Sequence, residues 1–277
     1  MIPRAHITAW RNSAPWSTDA QVEQDLALSR ALVEIYSDPI LSSRLAFRGG
    51  TALHKLYLGL ALRYSEDIDL VQIDAGAIGS VMSALHTRLD PWLGEPRRKQ
   101  SEGRMTFIYR FESEVPPVTP LRLKIEVNTR EHFAVLGFTK KTVVVDNPWF
   151  SAQSDAVTYE LEELLGTKLR AFYQRKKGRD LFDLAVALSR RPGLDSGKVI
   201  ECFQRYMEDT GARVSRAEFE ANLADKLADA AFHGDIAPLL AMTESAEAAF
   251  DVTRAAEAIM VAFIARLPGE PWKGPRE

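Results

Sequence analysis

Hydrophobic and polar positions follow two different periods along the chain, and the change between them divides it. Segment 18–37, TDAQVEQDLALSRALVEIYS, sets Val22, Leu26, Leu28, Leu32 and Ile35 along one side, the spacing of an amphipathic helix. Thr18 and Gln21 stand at its start with the spacing of a capping box. LAFRGGTALHKLYLG then reads as a short strand at 45–48, a glycine pair, and a helix from about Thr51 to Leu58. DIDLVQI (67–73) is short and rich in branched residues, which predicts a strand, and a helix follows at about 77–89. MTFIYRFE (105–112), LRLKIEVN (121–128) and KTVVVD (141–146) are three further strands, with the turn-forming EVPPVTP between the first two.

After Pro148 the period becomes helical. From Tyr159 to Phe263 it persists, broken at Gly178, at Arg191-Pro192-Gly193 and near Gly211. The pattern predicts an α+β chain: an α/β domain over residues 1–150, with a mixed sheet and flanking helices, then a helical domain over 151–277. The tail LPGEPWKGPRE is expected to be loosely attached.

Composition narrows the class. With 46% hydrophobic and 26% charged residues, an ordinary core is available without disulfides. The one cysteine, Cys202, excludes an internal disulfide and a cysteine-based metal site, and the five histidines show no ligand spacing. No apolar run approaches the ~20 residues that span a bilayer, and the amino terminus lacks the apolar core of a signal peptide. A cytoplasmic protein with no membrane partner is expected. The net charge of −3 excludes a chain that is basic throughout. Its cations are nevertheless grouped: Lys168, Arg170, Arg175, Lys176, Lys177 and Arg179 in one stretch, Arg97, Arg98, Lys99 and Arg104 in another. Such groups are solvated faces or phosphate-steering patches.

The chemistry is concentrated in Arg48-Gly49-Gly50-Thr51 and in Asp67-Ile68-Asp69. A glycine pair between a strand and a helix lets backbone amides approach a phosphate, and Thr51 can add a hydroxyl. Arg48 and His54 flank the pair, with a phosphate contact or an ordinary surface role open to them. In a strand, residues i and i+2 share a face, so Asp67 and Asp69 project together. They are either exposed aspartates at a strand end or a pair whose repulsion a cation relieves, and Mg²⁺ favours one or two carboxylates plus substrate phosphates. In LRLKIEVN, Leu123, Ile125 and Val127 share one face while Lys124, Glu126 and Asn128 share the other. A strand beside 67–73 would bring Glu126 towards the aspartates as a third carboxylate.

GGTALHKLYLG, RYSEDIDL, KIEVN and LLGTKLRAFYQRKKGRDLFDL, in that order, resemble the AbiEii/AbiGii-type toxin nucleotidyltransferases of the DNA-polymerase-β-like superfamily. The resemblance runs from about Phe47 to Leu184. It implies a polymerase-β-like core followed by a helical domain. Gly49, Gly50 and Thr51 would hold the triphosphate, Asp67 and Asp69 would bind Mg²⁺ or Mn²⁺, and Glu126 would be the third acid, a metal ligand or a general base. Lys168 and Asp180 would complete the site from the helical half. The substrate would be an NTP, the acceptor an RNA such as the 3′ end of tRNA, and the partner a cognate antitoxin. Fifteen residues separate Thr51 from Asp67, a longer spacing than in the broad superfamily.

Helical spacing supplies the rest. Leu161 to Arg175 reads as one helix ended by Gly178, with Lys168 bordering its packed side and able to reach a triphosphate as a point charge or to snorkel over the core edge. In the next helix Asp180 lies on the edge of the face made by Leu181, Leu184 and Leu188, as a site residue or as one that holds Lys168 or Arg179 in place, while Asp183 is expected further round, towards solvent or Arg179. Arg175, Lys176, Lys177 and Arg179, with Arg97–Lys99, are the candidates for an RNA backbone. A small-molecule nucleotidyltransferase and a nucleotide-binding regulator without turnover are the competing readings.

Overall fold

The computed structural model describes residues 2–59, 62–240 and 250–274, and the chain forms two compact units. The first runs from Met1 to Tyr159, and the second begins at Glu160.

The first unit is built on a seven-stranded mixed sheet. Its strands are β1 (Leu45–Arg48), β2 (Asp67–Gln72), β3 (Arg97–Ser101), β4 (Arg104–Glu112), β5 (Pro120–Asn128), β6 (Phe138–Asn147) and β7 (Phe150–Tyr159). Their order is β3-β4-β5-β2-β1-β7-β6. β2 runs parallel to β5 and β1 parallel to β7; the other neighbours are antiparallel. Alternation gives the sheet two unlike faces: Ile68, Leu70, Phe107, Leu123, Ile125 and Val127 are buried, and the residues between them are polar. Strand β7 carries the sheet past the boundary expected near residue 150, because FSAQSDAVTY lacks the apolar alternation that marks a half-buried strand. β3, RRKQS, is an exposed edge strand that was read only as a basic group.

Helix α1 (Arg4–Trp10) is followed by α2 (Asp19–Ser37), which opens with the expected capping box between Thr18 and Gln21. The amphipathic expectation for α2 is too modest: Glu23, Gln24 and Asp25 are buried along with its apolar residues. They are tolerated because each is bonded. Gln24 donates to the Arg122 carbonyl at 2.6 Å, Glu23 accepts from the Glu114 amide at 2.8 Å, and Asp25 accepts from Trp10 Nε1 at 2.9 Å. Two short helices, α3 (Pro39–Arg44) and α4 (Gly49–Ala52), flank β1, and α4 passes into a π-helical turn at Leu53–Leu58. Helix α5 (Gly79–Leu93) packs near β4.

The second unit contains α6 (Leu161–Gln174), α7 (Gly178–Arg190), α8 (Ser196–Glu208), α9 (Arg216–Leu227), α10 (Ala230–Gly234) and α11 (Val252–Ala262). Phe172 of α6 stacks against Phe219 and Phe232 at its core. Gly166 lets α6 and α8 approach, since a Cβ there would lie 2.5 Å from that of Cys202. The tail is better attached than expected. The Arg216 amide donates to the Pro268 carbonyl at 2.8 Å, and the Trp272 amide donates to Glu220 at 2.6 Å.

Candidate active site

Strand pairing gathers the acids of the first unit. The parallel β2–β5 register sets Asp69 beside Glu126 and Asp67 beside Lys124, and the antiparallel β1–β2 register sets Arg48 beside Asp69. All five side chains share the polar face of the sheet. Gly49 follows at a φ of +81°, and a Cβ on it would sit 2.2 Å from Asp69 Oδ2. The glycine is therefore required twice, by the backbone conformation and by the carboxylate pressed against it.

Burial and neighbouring charge both act on these carboxylates. Burial pushes the Asp67 carboxyl above the ordinary carboxylate range, although Lys124 pulls it down. Asp69 is raised by burial and then by repulsion from Asp67, with Arg48 opposing. Asp67 Oδ1 is buried without a hydrogen-bond partner among the described residues. Lys124 Nζ lies 3.2 Å from Asp67 Oδ2 and 3.3 Å from Glu126 Oε1. Its ammonium thus stands between two carboxylates, in the place of a positive charge. Among the described residues no three acidic, histidine or cysteine side chains are arranged to hold an ion as they stand. The set is closed by the Lys124 ammonium, while the orphan oxygen and the raised carboxyls fit a divalent cation in its stead. Lys124 escaped sequence reasoning, which treated it only as a polar-face residue.

The neighbours are committed to local partners. Arg48 pairs with Glu131, which also accepts from Asn128 Nδ2 at 3.3 Å; burial would lower the Arg48 pKa, but Glu131 and Asp69 hold it up. Thr51 Oγ1 donates to the Asp67 carbonyl at 2.6 Å and lies 2.7 Å from Ser65 Oγ. In this structure that hydroxyl pins the start of β2, so its expected role as a free phosphate donor is not what is seen. His54 is buried, not a surface residue.

In the second unit Lys168 is buried, 3.1 Å from Asp180 Oδ1 and 2.9 Å from Asp183 Oδ2. It neither snorkels nor stands free. Arg175 adds two bonds to Asp180, at 2.7 and 2.8 Å. Burial would raise the Asp180 carboxyl, but Lys168 and Arg175 outweigh it and hold it below the usual range. The expectation that Asp183 faces solvent or Arg179 is overturned: Asp183 is fully buried on Lys168. Residues 180 and 183 lie on one helical face, and a buried ammonium there holds both carboxylates. α6 ends at Gln174, ahead of the stop expected at Gly178, and Arg175 leaves it extended. Lys176 pairs with Asp229 at 3.0 Å and Lys177 with Asp235 at 3.3 Å, while Arg179 is half-buried and its amide donates to Asp235.

A mixed sheet with paired aspartates beside a glycine at a strand-to-helix junction is the arrangement expected of a nucleotidyltransferase. The family described as Nucleotidyl transferase AbiEii toxin, Type IV TA system, matches residues 30–256, and the chain belongs to it. The chain is thus a nucleotidyltransferase enzyme of a toxin–antitoxin type, and the family brings an NTP substrate, an antitoxin partner and, typically, a divalent metal. Among solved structures it is similar to MenT4, a nucleotidyltransferase toxin from Mycobacterium tuberculosis H37Rv. That match has 16% identity and a TM-score of 0.63, covering 97% of this chain and 91% of that one. JHP933 from Helicobacter pylori is similar at 17% identity and a TM-score of 0.51, over 87% of this chain and 92% of that one. At these identities the likeness establishes the fold. No curated protein sequence matches the chain. Among the described residues no helix is long and apolar enough to cross a membrane.

Proposed function

We propose that the chain transfers the nucleoside monophosphate of an NTP to a hydroxyl of an RNA acceptor, with Mg²⁺ or Mn²⁺ held by Asp67, Asp69 and Glu126. The observation that supports this most is the row of acids across β2 and β5, with Gly49 packed against Asp69. Bound there, a divalent ion supplies neutralising charge to the triphosphate and to the departing pyrophosphate. The amides of Gly49, Gly50 and Thr51, which open the helical segment, are the donors suited to the phosphates, and Arg48 adds positive charge beside them. The acceptor oxygen bonds to the α-phosphorus, the bond from that phosphorus to the bridging oxygen breaks, and pyrophosphate leaves. The hydroxyl proton passes to a carboxylate of the site or to water. Glu126 is assigned to the ion, because one ammonium already bridges it to Asp67.

For Lys168 and Asp180 the pairing favours the alternative in which Asp180 holds Lys168 in place. Their charges satisfy each other and Asp183, so they hold α6 to α7. The acceptor favoured by the family resemblance is the 3′ end of tRNA, whose modification in the cytoplasm would stop translation.

The test is incubation with each α-labelled NTP, with total RNA or small hydroxyl compounds, in Mg²⁺, Mn²⁺ or EDTA. Label should enter RNA only with metal present. Label in a small molecule would replace the acceptor, and retention of intact NTP without transfer would leave a nucleotide-binding regulator.

A further inference from the structure

The polar face that carries the acids continues across two more strands, where its charge changes sign. Register lines up Asp69, Glu126, Thr106 and Lys99 in one row from β2 to β3, and Asp67, Lys124, Ile108 and Arg97 in the next. Arg110 on β4 faces Arg122 on β5 one step further along. Arg97, Lys99, Arg110 and Arg122 are all exposed, while the opposite face of β4 and β5 is core. Strands lie about 4.8 Å apart, so Lys99 is on the order of 15 Å from Asp69.

Arg97, Lys99 and Arg110 have no carboxylate partner among the described residues; Arg122 pairs with Glu66 at 2.9 Å and Arg104 with Glu126 at 3.5 Å. The contrast with the second unit is direct. There Arg175, Lys176 and Lys177 each already hold an aspartate. A cation that is already paired displaces few counterions when a phosphate arrives, whereas an unpaired one contributes in full. Protecting an open sheet edge would account for the charges of β3 but not for Arg110 on an inner strand.

Building on the proposed transfer to RNA, we infer that Arg97, Lys99 and Arg110 form the track that holds the acceptor, a single-stranded RNA backbone running from β3 over β4 to the acids. An end hydroxyl at Asp67 and Asp69 sets the phosphates of the nucleotides just behind it over these cations. None of the side chains named on this face is aromatic, so the track grips backbone phosphate and leaves base choice to other contacts.

The full chain is compared with R97Q/K99Q/R110Q and with K176Q/K177Q by fluorescence anisotropy on a short labelled single-stranded RNA, over a range of salt. Label transfer to the same RNA and calorimetric binding of NTP are followed alongside. The track variant should bind RNA at least about tenfold more weakly at moderate salt. Its slope of log affinity against log salt should flatten by about 2, since three single-strand phosphate contacts are lost at ~0.7 each. NTP affinity should stay within about twofold, and K176Q/K177Q should behave as wild type. Equal RNA affinity and slope in the track variant would overturn the inference. So would an absence of RNA binding by wild type. RNA binding through the track without label transfer would keep the surface and reject the transfer reaction.

Discussion

Gly49 shows how closely the site depends on one missing atom. At a φ of +81° an L side chain costs about 1–2 kcal/mol, and its Cβ would also collide with Asp69. Gly49→Ala should therefore lower the unfolding midpoint and abolish transfer. The two penalties separate in a double-mutant cycle, because Asp69→Ala removes the carboxylate, leaving only its Cβ near Gly49, but not the backbone strain. Gly49→Ala should be less destabilising in the Asp69→Ala background than in wild type by about 1 kcal/mol or more. Equal costs in the two backgrounds would show that the carboxylate does not press on the glycine. That Asp67 and Asp69 share a face follows from strand period alone, whereas Glu126 was expected beside them only if its strand paired with 67–73. Lys124 had the same period, but its bridging position needs the β2–β5 register, which no local pattern supplies. Asp183 was misread because a helical wheel ranks faces by apolar neighbours, and its burial comes from a lysine on another helix.

The helix pair α6–α7 carries the clearest electrostatic commitment of an element. Asp180 is fully buried and its pKa is depressed by Lys168 and Arg175. A depressed carboxyl contributes stability above its unfolded pKa, ordinarily ~3.9, and loses it as pH falls through the lower folded value. Asp180→Asn should cost about 3–5 kcal/mol at neutral pH, the scale of breaking a buried ion pair. Denaturant midpoints taken from neutral pH downward should show that gap holding to about pH 4 and narrowing below it. A gap independent of pH would mean that Asp180 contributes by packing and not by charge. Among elements, those with a one-sided apolar period were legible: α2, β2, β4, β5 and the helices of the second unit. β3 has no apolar residue at all, and β7 owes its place to pairing on both sides, with β1 and β6, rather than to an alternating face.

Across the whole molecule a net charge of −3 hides opposite signs on one sheet face, acids on β2 and β5 and unpaired cations on β3 and β4. Composition therefore excluded a uniformly basic RNA binder without excluding RNA as a substrate. The α+β organisation was legible from the change of period near Pro148, whereas the division at Tyr159 required the unseen strand β7. The proposed transfer rests on the two aspartates of β2. The most direct measurement is the initial rate of label transfer from α-labelled NTP to RNA by wild type, Asp67→Asn and Asp69→Asn, each first shown to be folded by circular dichroism and melting. Both variants should keep or slightly gain thermal stability without metal, since each loses a charge that burial disfavours. Transfer should fall by roughly 10²–10³-fold, the scale of removing one preorganised electrostatic group. A folded variant that retains transfer within about tenfold of wild type would contradict the assignment of the active site.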